Sequence, residues 1–292
     1  GLSYSLGDIA GERDGLRAAL AIAPHVQQVA LIGQVLGIAS GYLARLEADS
    51  GNDAAAAAAL ALNRKYVPLS MRDQPAGSFG RAFLPEYLGL YGYPTGGPGY
   101  GEFAIPYARG DFATVHRIGL ASAKRMEAMR PPVAGAKDGR DRALEMAWRV
   151  AAEASWWLGD YARAEAEITH ALGIRKTLPP RNLGEQRDAG DQLVIASMIA
   201  ARLGDHARAQ KILAPVLELQ RGLDARKDNE DRTQHIEYAQ ALYASALATP
   251  ASKGPALKQA AGLVDALPKA MRGLKSIQRL RGAIAAEAHT AR

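Results

Sequence analysis

The sequence predicts an all-α fold built from stacked antiparallel helix hairpins, and three observations carry that expectation. Leu158-Gly-Asp-Tyr-Ala-Arg-Ala164 and Leu203-Gly-Asp-His-Ala-Arg-Ala209 repeat one another 45 residues apart, and self-similarity at such a period marks supersecondary units set in a row. Alanine is abundant, aromatics make up only 6% of the chain, and β-branched residues never alternate as they would in a strand. Around both repeats apolar residues recur instead at three- and four-residue spacing. Each hairpin of such a row needs only its neighbours, so residues 1–292 can form one solenoid.

The elements follow in order. Leu6-Gly7-Asp8-Ile9 reads as a first turn, leading into a helix with Leu16, Ala19 and Leu20 and ending at Pro24. Val29 to Leu46 is the longest apolar stretch, but Gln34, Ser40, Arg45 and three glycines mark it as a buried helix rather than a transmembrane segment. Gly51-Asn-Asp53 opens an alanine-rich helix through Leu60, and Gly110-Asp111-Phe112 opens another that runs to about Met129 and stops at Pro131-Pro132.

The strongest hairpin has Asp141 as its first cap and buries Leu144, Ala147, Trp148, Ala151, Ala152 and Leu158 on one stripe. Gly159 ends that helix and Asp160 caps the next, its carboxylate accepting from first-turn amides that lack helical partners. Tyr161, Ala164, Ile168, Ala171 and Leu172 form the second stripe, with Gly173 as terminator. Beyond the second repeat the turn falls at Thr249-Pro250, and a helix begins near Pro255. A last helix, from about Ser276 to His289, carries Ile277, Leu280 and Ile284 on one side and suits a capping element over 270–292.

Trp148, Ala152, Gly159-Asp160-Tyr161, Ala164, Ile168 and Ala171 form a pattern that resembles the tetratricopeptide repeat. Leu193, Ser197, Gly204-Asp205-His206, Ala209, Leu213 and Val216 supply a second copy. The resemblance implies a right-handed superhelical solenoid of about five such units. The spacing of 44 to 45 exceeds the family's period of about 34, and Lys176 and Arg221 stand where a terminal proline is usual.

The resemblance also implies a concave groove lined by the first helix of each hairpin. Met146, Arg149, Glu153 and Trp156 would face it in the strongest hairpin, and Val194, Met198, Ala201 and Arg202 in the next. Arg149 and Trp156 have the stronger claim, because Arg and Trp dominate interface energetics. Trp156 and Trp157 point about 100° apart on a helix, so only one can face the groove. Trp156 is assigned to it, and a ring buried in the core would overturn that.

Residues 64–109 interrupt the array. Phe79 to Tyr107 holds five of the 11 tyrosines and three of the four phenylalanines. Among these, Tyr87, Tyr91, Tyr93, Tyr100 and Phe103 are candidates for a contact loop. Gly and Pro prevent regular helix here, yet the aromatic content is too high for a disordered linker. Two readings stand: the rings pack back on the first hairpins in place of a missing helix, or they form a loop over the groove. Gly97-Pro-Gly-Tyr-Gly101 lacks the Lys-Ser/Thr of a phosphate cradle.

The net charge is +6, but 36 basic residues are interspersed with 30 acidic ones, which argues against nucleic acid. Lys269, Arg272, Lys275, Arg279, Arg281 and Arg292 read as a solvated face of the last helix. Cysteine is absent, the six histidines are scattered, and Glu165, Glu167, Asp228, Glu230 and Asp231 read as exposed or linker carboxylates. With no nucleophile elbow or zinc helix motif, neither catalysis, cofactor nor metal is expected.

The expected role is a non-enzymatic scaffold that binds a protein or peptide segment in the groove. The alternative is a ligand-sensing module cut from a larger regulator, kinase or transporter. A cytoplasmic location is expected, with the periplasm as alternative because the chain begins at Gly1 and lacks cysteine.

Overall fold

The computed structural model describes residues 2–22, 29–69, 101–130, 134–178, 180, 183–226 and 230–290. These residues form fourteen α-helices and two 3-10 turns, with no strand among them. The N-terminal part contains α1 (Leu2–Ser5), α2 (Ile9–Ala21), α3 (Val29–Asp49), α4 (Asp53–Leu69), α5 (Ala104–Arg109) and α6 (Phe112–Ala128). Next come α7 (Ala134–Trp157), α8 (Tyr161–Arg175), α9 (Leu183–Arg202), α10 (His206–Asp224) and α11 (Arg232–Ala248). The chain closes with α12 (Lys253–Asp265), α13 (Lys269–Arg272) and α14 (Lys275–His289).

Helices adjacent in sequence are adjacent in space: α3 packs on α4, α6 on α7, α7 on α8, α9 on α10, α10 on α11 and α11 on α12. The repeated strings are the joints of this arrangement. At Gly159 the backbone turns left-handed with φ of +78°, its amide bonds the Trp156 carbonyl at 3.0 Å, and the Asp160 amide reaches back to Ser155 at 3.0 Å. That pair of bonds closes a helix end in the Schellman manner. The Asp160 carboxylate then accepts from the Arg163 amide at 3.1 Å. Gly204, at φ of +83°, and Asp205 reproduce every one of these bonds.

Only glycine adopts such a conformation without steric cost, so Gly204→Ala is expected to lower stability by roughly 1 kcal/mol. Asp205→Ala is expected to cost a similar ~1 kcal/mol through the lost cap. Chemical denaturation checks both; a variant as stable as the parent would show that the joint tolerates another geometry.

Several expectations are corrected. Leu158 is 47% exposed rather than part of the buried stripe, as are its counterparts Leu6 and Leu203 at 46% each, because the residue before the left-handed glycine points away from the hairpin. Gly173 does not end α8, which continues to Arg175; an isolated glycine weakens a helix without stopping it. Phe103 and Tyr107 are buried with Phe112, Val115 and Met126, so Phe103 is a core residue rather than a contact-loop residue. Both rings pack forward on α6 and α7 rather than back on the first hairpins; Ala104 and Ala108 of the same segment meet α3 and α4, and α5 supplies a short helix before Gly110. Tyr87, Tyr91, Tyr93 and Tyr100 lie outside the described residues.

The last helix does more than close one end. Ile277, Leu280 and Ile284 are buried against α12 as the periodicity predicted. Its first turn, however, meets α3, where Asp49 accepts from the Ser276 amide at 2.7 Å and from its hydroxyl at 2.6 Å. The helix also touches α5 and α11, so it runs between the first and last hairpins. No described helix is long and apolar enough to cross a membrane.

Candidate functional site

α14, which itself packs chiefly on α12, faces residues of α7, α9 and α11. Between them lies a cavity of about 60 Å³, with Glu153, Trp156, Val194, Met198 and Tyr243 on one side and Arg279, Leu280 and Ala283 on the other. Glu153, Trp156, Val194 and Met198, expected at the groove, all line this cavity. Their accessibility is corrected: all four are buried, because α14 covers the face that sequence reasoning left open. The Trp156 ring is only 6% exposed, which overturns its assignment to an open groove. Met146 belongs to the core beneath α6, Ala201 is buried, and Arg202 sits at the rim in an ion pair with Glu287.

Arg279 is the largest departure from expectation. Its guanidinium lies 5.0 Å from the Tyr107 ring centre, 4.9 Å from Phe112 and 5.7 Å from Trp157, and donates to the carbonyls of Tyr107 at 2.7 Å and Ala108 at 3.2 Å. A cation is drawn to the negative faces of such rings, the more so where water is excluded. Trp157 stacks on Phe112 at 5.4 Å, and Tyr107 meets Phe112 edge-on at 5.8 Å, which fixes the box. The Tyr107 hydroxyl donates to Glu153 at 2.7 Å. Burial pushes the Glu153 carboxyl above its ordinary range, opposed by that hydrogen bond and by Arg149, Arg279 and Arg45.

A second polar system lies deeper between α7, α9 and α11. Arg149 is buried, and Glu145, Asp188, Asp191 and Glu153 surround it. Arg187 pairs with Glu237 at 2.8 Å and Asp231 at 2.9 Å, and donates to the Thr233 hydroxyl at 3.0 Å. Desolvation pushes Asp191 well above its usual value, reinforced by the nearby Glu237 charge and opposed by Arg149.

The sign follows directly. A carboxyl whose pKa is raised by folding binds more protons in the folded state, so its contribution is retained below the ordinary carboxylate value and lost as pH rises through the raised one. Asp191→Asn is accordingly expected to raise the melting temperature at pH 8 and to change it little at pH 4. Equal shifts at both values would contradict the desolvation account.

The constellation nearest to catalytic chemistry is His116, Glu167 and Ser155. His116 Nε2 lies 2.7 Å from Glu167 Oε1, and the Ser155 hydroxyl donates to Glu167 Oε2 at 2.7 Å. The carboxylate stands between the other two, so the imidazole does not receive the serine proton as a general base would. Ser155 is fully buried, and the three groups join α6, α7 and α8 structurally. Glu167, read from sequence as exposed, is thus a buried bridging residue. Among the described residues no group of three His, Cys, Asp or Glu is placed to hold a metal ion.

Fold and site together define, over the described residues, an all-helical protein of mostly sequentially packed helices. No protein-family model, curated protein or solved structure matches the chain.

Proposed function

We propose that the chain is a tetratricopeptide-like helical-hairpin scaffold that binds a helical segment of a partner protein on the face formed by α7, α9 and α11. The observation that carries this reading is that an amphipathic helix, α14, already lies along this face, with Leu280 and Ala283 on the shared cavity, Arg279 5.7 Å from the Trp157 ring and Glu287 paired with Arg202. Such a combination of an apolar groove with polar ends is how amphipathic helices are recognised in trans. The Leu-Gly-Asp joints support the repeat assignment, since each sets two helices antiparallel in the same way.

The cavity beneath α14, at about 60 Å³, is too small for an organic ligand, whose pockets run to roughly 300–1,000 Å³, so the small-ligand alternative would need one of the open clefts elsewhere on the surface.

Selection of a displayed peptide library against the full chain tests the proposal. Enrichment of amphipathic helical sequences, weakened by Val194→Glu, is the expected outcome. Failure to enrich any peptide, with only small molecules raising the melting temperature, would replace the scaffold reading with the sensor reading.

A further inference from the structure

The way α14 is held has the form of ligand recognition. Its first turn lacks a side-chain cap of its own; Asp49 on α3, distant in sequence, accepts from Ser276 instead. Three residues on, Arg279 enters the aromatic box. Leu280 and Ala283 face Trp156 and Met198 across the cavity. At the last turn Glu287 is gripped by Arg202 and by Lys253, the latter at 2.8 Å. The helix start is met by α3, the cation by α5, α6 and α7, the apolar ridge by α7 and α9, and the terminal acid by α9 and α12.

The centre of this interface is incompletely filled. The cavity lies between Ala283 and Trp156, and the buried indole Nε1 of Trp156 has no hydrogen-bond partner among the described residues. Buried donors are almost always satisfied, and leaving one unpaired is costly. A helix carrying a longer side chain with an acceptor oxygen at the Ala283 register would fill the space and satisfy the indole.

We infer that α14 is an exchangeable occupant: it holds the inner face until a partner displaces it with an amphipathic helix. That partner helix carries a cation near its start, an acceptor-bearing residue four positions later and an acid after a further turn. This rests on the scaffold reading above and specifies its site and its regulation.

The probe is a fluorescein-labelled peptide of residues 274–290 carrying Ala283→Gln, titrated with the full chain and with full-chain Arg279→Ala. The Arg279→Ala chain, whose own helix is loosened, is expected to bind at least tenfold more tightly than the parent. Removing the arginine from the peptide is expected to abolish binding. If the Arg279→Ala chain keeps its helical circular dichroism and neither chain binds the peptide, α14 is a fixed core element and the inference fails.

Should Arg279→Ala not fold, full-chain Ala283→Gln serves instead. Its filled cavity is expected to raise the melting temperature and weaken peptide binding at least threefold, and unchanged affinity overturns the inference. A concentration-dependent dimer of the Arg279→Ala chain in light scattering would make a second copy the occupant and also overturn it. Library peptides that bind while the α14 amides stay protected from hydrogen exchange would preserve the scaffold reading and sink this one.

Discussion

Arg279→Ala is expected to destabilise the protein by roughly 3 kcal/mol, a fall in melting temperature on the order of 6–12 °C for a chain of this size. Each cation–aromatic contact contributes about 0.5–2 kcal/mol when water is excluded, and hydrogen bonds from a charged donor about 1.5–3 kcal/mol. Three rings and two carbonyls share one guanidinium, so these contributions overlap and their full sum overstates the loss. Alanine would also leave the Tyr107 and Ala108 carbonyls without this donor. Arg279→Lys keeps the charge but loses the planar fork, and should recover less than half of the deficit. Thermal unfolding followed by circular dichroism checks both variants. An Arg279→Ala chain within about 0.5 kcal/mol of the parent would mean that this side chain behaves as an ordinary solvated arginine.

The joints were legible because their chemistry is local. Glycine's access to left-handed φ and the reach of an aspartate to the third amide beyond it are confined to a few residues, so Gly159-Asp160 and Gly204-Asp205 announced both the helix end and the next helix start. Stripes at Ala164, Ile168 and Ala171, or at Ala209, Leu213 and Val216, were readable for the same reason. Leu158 misled because it continues the stripe by spacing, while the turn that follows redirects it.

The site was legible only by half. The resemblance put Glu153, Trp156, Val194 and Met198 on one face, but nothing in it shows that the helix beginning at Lys275 lies on the other side of their cavity. Arg279 sits on a helix with five basic neighbours in sequence and reads as solvated; its box is assembled from α5, α6 and α7, a contact of long sequence range. Glu167 was hidden in the same way, because a charged residue on an amphipathic helix looks exposed until its buried partner is known. One signal was available: Ser155, Glu153 and Arg149 lie on the same helix as the alanine-rich stripe. Small residues on several sides of that helix let neighbours close around it, and here Asp141, Arg142, Glu145, Arg149 and Glu153 are all buried.

Arg187→Ala carries the largest predicted loss, because it removes the cation that holds Glu237 and Asp231 together. The Glu237 side chain is only 2% exposed, and a buried carboxylate stripped of its partner typically costs about 3–5 kcal/mol. In the parent, desolvation already raises the Glu237 pKa, opposed first by the hydrogen bond and charge of Arg187, then by Gln220, which donates at 3.2 Å. Removing Arg187 takes away the main opposing influence, so the pKa rises further. The folded variant then holds its proton over a wider range than the unfolded chain does, and its stability falls as pH rises through that range. The loss relative to the parent should therefore be larger at pH 8 than at pH 5, where protonation of Glu237 relieves it. Denaturant titrations of both proteins at the two pH values give the comparison directly. A Glu237→Gln change added to Arg187→Ala should recover much of the loss at pH 8, since a neutral amide needs no counter-charge. A loss independent of pH, or unrelieved by the second substitution, would assign the role of Arg187 to packing of its aliphatic stem rather than to its charge.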